Sequence, residues 1–201
     1  VNVLKKSLLT QGKFVTKFEN QLKNYIGCKH ALAVSSGTAA LHLISKSLGW
    51  NNKDIILAPS ITFAATVNSI IYSNAKPEFV DIDNDDYSIS PKEIEKIILK
   101  LKKKNKKVKA LIVVDYGGQP AKWKEIYRLK KKYNFQIVSD NCHSYGAKYY
   151  KKKSYATLYA DMVSLSFHPV KHITTGEGGA ILTNNTRLYH KCKILRSHGI
   201  I

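Results

Sequence analysis

A lysine held in a glycine-bounded turn can do chemistry that a lysine on an open helix face cannot, and Lys171 is placed in such a turn. It follows Ser166-Phe167-His168-Pro169-Val170 and precedes His172-Ile173-Thr174-Thr175-Gly176-Glu177-Gly178-Gly179. The pattern is a strand ending at Ser166, a proline turn presenting one amine, and a glycine-rich segment giving access before the next strand. Desolvation in an apolar turn is expected to lower the pKa of the amine and free it for imine formation. Most other lysines carry no such expectation, because lysine is ordinarily solvent-exposed.

Two further stretches have residue types that suit the same kind of site. Asp140 closes a Val- and Ile-containing strand and opens Asp140-Asn141-Cys142-His143-Ser144-Tyr145-Gly146. A carboxylate at a strand's carboxyl end can point into a cleft and hold a ring nitrogen protonated, making that ring an electron sink. A turn cap is the plainer alternative. Ser35-Ser36-Gly37-Thr38 stands where a strand feeds a helix. Unpaired N–H groups at the positive end of a helix dipole can hold a phosphate there, although an ordinary N-cap explains the same residues equally well. No G-K-[ST] follows, so this is not a Walker loop.

Other candidates fail on spacing or context. His168 and His172 are four apart, but Pro169 interrupts the helix that a metal-binding pair would need, and no metal is expected. Cys142 is near the site and reads as a small packing residue rather than a nucleophile. Cys28, Cys142 and Cys192 contain no C-x-x-C pair, which suggests neither a disulfide framework nor a zinc site and fits a reducing cytoplasm.

The elements that must position these residues alternate along the chain. Phe14, Phe18, Leu22, Tyr25 and Ile26 recur at helical spacing and stop at Gly27. Strands follow at residues 31–34, 55–57, 78–80, 110–114, 136–139, 162–166 and 180–183. Helices are expected at 39–48, 63–72, 91–103, 121–133 and 186–195. The alternation predicts an α/β three-layer sandwich with a mostly parallel sheet. Ligands bind such sheets outside the carboxyl ends of the strands, where residues 35–38, 140–146 and 166–179 fall.

Composition narrows the partners. The 201 residues carry a formal charge of +19, which on its own suggests a polyanionic partner. The charge is almost all lysine, in runs at residues 100–107, 130–132 and 151–153 that read as solvated helix ends and loops. Arginine, suited to bidentate phosphate contacts, occurs only at Arg128, Arg187 and Arg196. Neither nucleic acid nor a membrane is therefore expected as a partner, and no apolar run approaches the roughly 20 residues of a spanning helix.

Taken in order, Ser35-Ser36-Gly37-Thr38-Ala39-Ala40-Leu41, Pro59-Ser60-Ile61-Thr62-Phe63, Gly118-Gln119-Pro120-Ala121, Asp140 to Gly146 and Ser166 to Gly179 resemble the sugar aminotransferases of the DegT/DnrJ/EryC1/StrS family. The resemblance covers essentially the whole chain. It implies the large domain of the PLP-dependent transferase fold type I, with pyridoxal 5'-phosphate (PLP) as cofactor. Carried over by position, Lys171 is the Schiff-base lysine and Asp140 pairs with the pyridine nitrogen. Phe63 stacks on the ring, Gly37, Thr38 and Ser166 form the phosphate cradle, and His143 lies beside the ring hydroxyl. Without the motif, Phe63 reads as a core side chain at a helix start and His143 as a group satisfying a turn. Gln119 is a further candidate for the site wall.

The resemblance also implies glutamate as amino donor and a nucleotide-linked keto-deoxy sugar as acceptor. The stretch from Ser166 to Gly179 looks most like enzymes that aminate C4 of a UDP-linked 4-keto-6-deoxy sugar on the pseudaminic acid route. Family members are longer, end in a smaller domain and work as homodimers. Residues 1–201 are accordingly expected to be the PLP-binding large domain of a longer cytoplasmic protein. Two rivals stand beside this reading. One is a sugar dehydratase of the same family, whose members carry His at the position of Lys171. The other is a truncated PLP-binding or regulatory remnant without turnover.

Overall fold

The computed structural model describes residues 4–5 and 11–200; Val1 and Ile201, the bounds of the single unit expected from the sequence, lie outside them. Seven strands form one sheet: β1 (His30–Val34), β2 (Ile55–Pro59), β3 (Lys76–Val80), β4 (Val108–Val114), β5 (Gln136–Asp140), β6 (Met162–Ser166) and β7 (Gly179–Thr183). Their spatial order is β1-β7-β6-β5-β4-β2-β3. The pairs from β3 across to β6 are parallel. β7 runs antiparallel to both β6 and β1. That reversal follows from the connection, because residues 167–178 return the chain from β6 to β7 without the crossover helix that a parallel neighbour requires.

Helices cover both faces, as the alternation predicts. On one side lie α1 (Lys13–Ile26), α4 (Pro91–Lys103), α5 (Trp123–Tyr133) and the short α6 (Tyr155–Tyr159); on the other lie α2 (Gly37–Ser47), α3 (Ala64–Ile71) and α7 (Thr186–Arg196). The period-2 alternation of strands sorts the core into two clusters. Leu111, Val113, Ile137 and Val163 face the α4–α5 side, whereas Ala110, Ile112, Val138 and Met162 face the α2–α3 side. All eight are fully buried, and a buried aliphatic side chain of this size contributes about 1.5–3 kcal/mol. The central strands β4 to β6 are therefore apolar on both faces, which fixes the height of the turns at their ends.

Local signals set the helix ends. α1 stops where Gly27 adopts the left-handed conformation (φ 80°) and its N–H returns to the Lys23 carbonyl. α4 starts with Pro91 at its first turn, carries Glu93 there and ends in Lys100, Lys102 and Lys103, a distribution that complements the helix dipole. Much of the lysine excess thus lies at helix ends, as at α5, whose last turn holds Lys130, Lys131 and Lys132; Lys131 and Lys132 are solvated, whereas Lys130 is half-buried and paired with Asp161. Two elements were not expected from the sequence: α6 and a single 3-10 turn at Tyr116–Gly118. Among the described residues no helix is long and apolar enough to cross a membrane.

Candidate active site

The turns after β1, β2, β4, β5 and β6 meet at the carboxyl edge of the sheet around a cavity of about 280 Å³. Gly37, Thr38, Phe63, Asp140, His143, Ser166 and Lys171, read from the sequence as site residues, all line it. Strand order explains the convergence. β1, β6 and β5 are separated only by β7, so three turns distant in sequence end side by side.

The turn after β1 leads into a capped helix that keeps unpaired donors. Ser36 caps α2, its Oγ accepting from the Ala39 N–H at 3.0 Å, while the Ala40 N–H donates to the Ser36 carbonyl. The N–H groups of Gly37 and Thr38 make no hydrogen bond among the described residues. Two free donors therefore remain at the positive end of an eleven-residue helix. The N-cap reading is met at Ser36, and the unpaired donors on the two residues after it leave the anion reading open. Gly37 must lack a side chain, since a Cβ there would lie 2.9 Å from Cys142 Sγ and 3.0 Å from Ser166 Cβ.

Asp140 is the last residue of β5 and is 5% exposed. Its Oδ2 accepts from the Thr66 hydroxyl at 2.8 Å. Its Oδ1 accepts from the Cys142 N–H at 3.2 Å and the Ser164 hydroxyl at 3.3 Å. These donors fix the carboxylate plane, and no cation pairs with it among the described residues. Cys142 sits beneath the turn, where burial and the Asp140 charge push its thiol well above the ordinary range. A thiol so held is not a nucleophile, in keeping with its packing against Gly37.

His143 is half-buried, and burial together with the nearby Lys171 charge lowers its pKa. It presents a neutral imidazole at pH 7. The edge of the Tyr116 ring approaches it, with centroids 6.4 Å apart. Tyr116 lines the cavity and was missed in the sequence, where an aromatic after a strand carried no distinguishing signal. Gln119, proposed for the wall, is exposed and lies outside the lining; the 3-10 turn rotates Tyr116 inward in its place.

Phe63 is not a core residue. It forms the N-cap of α3 and is 72% exposed at the cavity mouth, leaving an aromatic face open for stacking. Lys171 is half-buried, with its N–H donated to the His168 carbonyl at 2.9 Å. The desolvation expected around it is not found. His168, Pro169 and Val170 are exposed, Val170 to 79%, because the turn projects beyond the strand ends and no described residue packs over it.

Beneath the site, buried Asp115 at the end of β4 accepts from the Ala121 N–H (2.9 Å), Trp123 Nε1–H (3.0 Å), the Ser144 hydroxyl (3.3 Å) and the Tyr155 hydroxyl. Burial pushes its carboxyl up to about 6 against those donors. This cluster ties the Tyr116 turn to the loop that carries His143.

The residues present fit an aromatic aldehyde bearing a phosphate. Free helix N–H groups can take the phosphate, a carboxylate can meet a ring nitrogen, an aromatic face can stack, and an amine can condense with a carbonyl.

Comparison with known proteins agrees with this geometry. A family model described as the DegT/DnrJ/EryC1/StrS aminotransferase family matches residues 1–201. A UDP-4-amino-4,6-dideoxy-N-acetyl-beta-L-altrosamine transaminase from Campylobacter jejuni is 46% identical over 198 residues, covering 98% of this chain and 51% of that protein. An aminotransferase from Helicobacter pylori, described as involved in the biosynthesis of pseudoaminic acid, superposes with a TM-score of 0.87 at 35% identity. It covers 100% of this chain and 52% of that one. A Bacillus subtilis protein solved with bound cofactor PMP superposes with a TM-score of 0.84 at 30% identity, covering 96% and 43% of the two chains. The chain spans about half the length of the curated relatives it matches.

Proposed function

The chain belongs to the DegT/DnrJ/EryC1/StrS aminotransferase family, and from that premise we propose that it is the cofactor-binding domain of a PLP-dependent sugar aminotransferase. The observation that carries the reading is the meeting of Lys171 and Asp140 on one cavity that also contains the free N–H groups of Gly37 and Thr38. The donor is glutamate and the acceptor a nucleotide-linked keto-deoxy sugar, specifically C4 of a UDP-4-keto-6-deoxy-N-acetylhexosamine. The similarity to the Campylobacter transaminase, whose name gives a UDP-linked 4-amino-4,6-dideoxy-N-acetyl sugar, the product that amination at C4 would yield, supports the choice of acceptor.

When bound, pyridoxal phosphate supplies an electron sink for the pair of electrons left when a proton leaves the carbon bearing the amine. The chain's own residues do the rest. The N–H groups of Gly37 and Thr38, at the end of α2 where the dipole favours an anion, would hold the phosphate together with Ser166 from β6. Phe63 would offer its face to the ring and His143 would stand by its hydroxyl. Asp140 would keep a proton on the ring nitrogen. Lys171 would anchor the cofactor through its amine and, with that amine free, would carry the proton between the substrate carbon and the carbon that receives it. In the full-length protein this domain works as part of a homodimer in the cytoplasm, with a smaller domain after it.

The test is direct. Purified full-length protein is mixed with pyridoxal phosphate, and then with glutamate. A visible absorbance band that appears with the cofactor, is lost with glutamate and releases 2-oxoglutarate is expected. Binding without 2-oxoglutarate release would favour a remnant without turnover.

A further inference from the structure

Asp140 is gripped by a residue that belongs to a different wall of the cavity. Thr66, fully buried in the first turn of α3, donates its hydroxyl to Asp140 Oδ2 at 2.8 Å and accepts from the Thr62 hydroxyl at 2.8 Å. Thr62 lines the cavity beside Phe63. The Thr66 N–H also donates to the Phe63 carbonyl at 3.0 Å. One helical turn therefore carries the exposed aromatic face at one end and the donor to the buried carboxylate at the other. Thr62 precedes the Phe63 cap and so stands outside the helix, and its hydroxyl reaches across that cap to Thr66, which is what makes the chain continuous.

A hydroxyl that receives a hydrogen bond is the stronger donor for it, and in a buried site such a relay orients its acceptor more firmly than an isolated contact. The other Asp140 oxygen is held from its own side of the sheet, by Ser164 on β6 and the Cys142 backbone. Only Thr66 ties the carboxylate to the turn that bears Phe63.

We propose that Thr66 is a positioning residue for cofactor recognition: through the Thr62–Thr66–Asp140 relay it sets the carboxylate toward the ring nitrogen in register with the ring face covered by Phe63. The inference rests on the functional reading given above and deepens it. Thr66 touches Asp140 rather than the cofactor, so its effect should depend on what Asp140 has to bind.

That dependence is measurable by equilibrium binding of two probes to the full-length protein, pyridoxal phosphate and its 1-deaza analogue, in which carbon replaces the ring nitrogen. Thr66→Val, nearly isosteric, is expected to weaken pyridoxal phosphate about tenfold, the scale of one hydrogen bond to a charged group. The deaza analogue should change by no more than about twofold, since it offers Asp140 nothing to recognise. Thr66→Ser should restore the pyridoxal phosphate affinity. Equal loss for both probes, or no rescue by Ser, would overturn the role and reduce Thr66 to packing. Should Thr66→Val fail to fold by circular dichroism, Thr62→Val removes the donor behind Thr66 and must show the same contrast in smaller measure, of about threefold. Wild-type protein that binds neither probe would overturn the functional reading itself, a result distinct from the other two.

Discussion

Gly179 lies against the peptide of Ser36 so closely that a Cβ at position 179 would fall 2.3 Å from the Ser36 carbonyl carbon and oxygen. The first residue of β7 is thus the floor on which the turn after β1 rests. The atoms in the way are backbone, so neither side can yield by a rotamer change. Gly179→Ala should cost about 1–3 kcal/mol of stability, as overpacking does, and weaken pyridoxal phosphate binding at the same time. Denaturant unfolding and cofactor titration check both; a variant unaltered in either would contradict the contact.

Gly37→Ala places a Cβ between Cys142 Sγ and Ser166 Cβ, at 2.9 and 3.0 Å. Cofactor affinity should fall, and Cys142→Ala added to it should recover part of the loss by removing one of the two obstacles. No recovery in the double variant would mean that Ser166 alone sets the limit.

Much of this arrangement was legible before any coordinates. Short apolar runs between helical patterns locate all seven strands, most readily the central β4 to β7, which are buried on both faces and show no polar alternation; the edge strand β3 is exposed or half-buried before Val80. The seven residues expected at the site, from the chemistry of their turns and a family resemblance, all line one cavity. Other features were hidden for physical reasons. Gly178-Gly179 read as an open access segment, whereas Gly179 is required by contact with a residue 143 positions earlier in the sequence. Thr66 and Asp115 act through partners 74 and up to 40 residues away, and no local pattern reports such pairs. The turn around Lys171 was expected to be desolvated from its apolar composition, but composition does not say whether anything packs over it.

Phe63 is 72% exposed, so its contribution should be to binding and not to the fold. Phe63→Ala is expected to change unfolding stability by less than about 0.5 kcal/mol. The same change should reduce cofactor affinity about tenfold, a loss consistent with one aromatic contact. A large loss of stability with unchanged affinity would make Phe63 a structural residue.

Asp115 makes stability depend on pH in a specific direction. Its carboxyl is pushed from an ordinary value of 3.8 up to about 6 in the fold. Between those values the folded state holds a proton that the unfolded chain has lost. The contribution is therefore fully present below about pH 4, is lost as pH rises through about 6, and levels off above it. Asp115→Asn cannot titrate there. The stability of wild type relative to this variant should fall by about 2.5 kcal/mol between pH 4 and pH 7, measured by urea unfolding at each pH. A difference that stays flat across this window would show that the four donors, and not burial, govern the group.

If the amine of Lys171 condenses with the cofactor aldehyde, chemical reduction will trap the bond there. Full-length protein incubated with pyridoxal phosphate and then treated with borohydride should carry one phosphopyridoxyl group, found by peptide mass mapping on Lys171 and missing after Lys171→Ala. A label spread over the lysine-rich helix ends, or borne equally by the Lys171→Ala variant, would contradict the account.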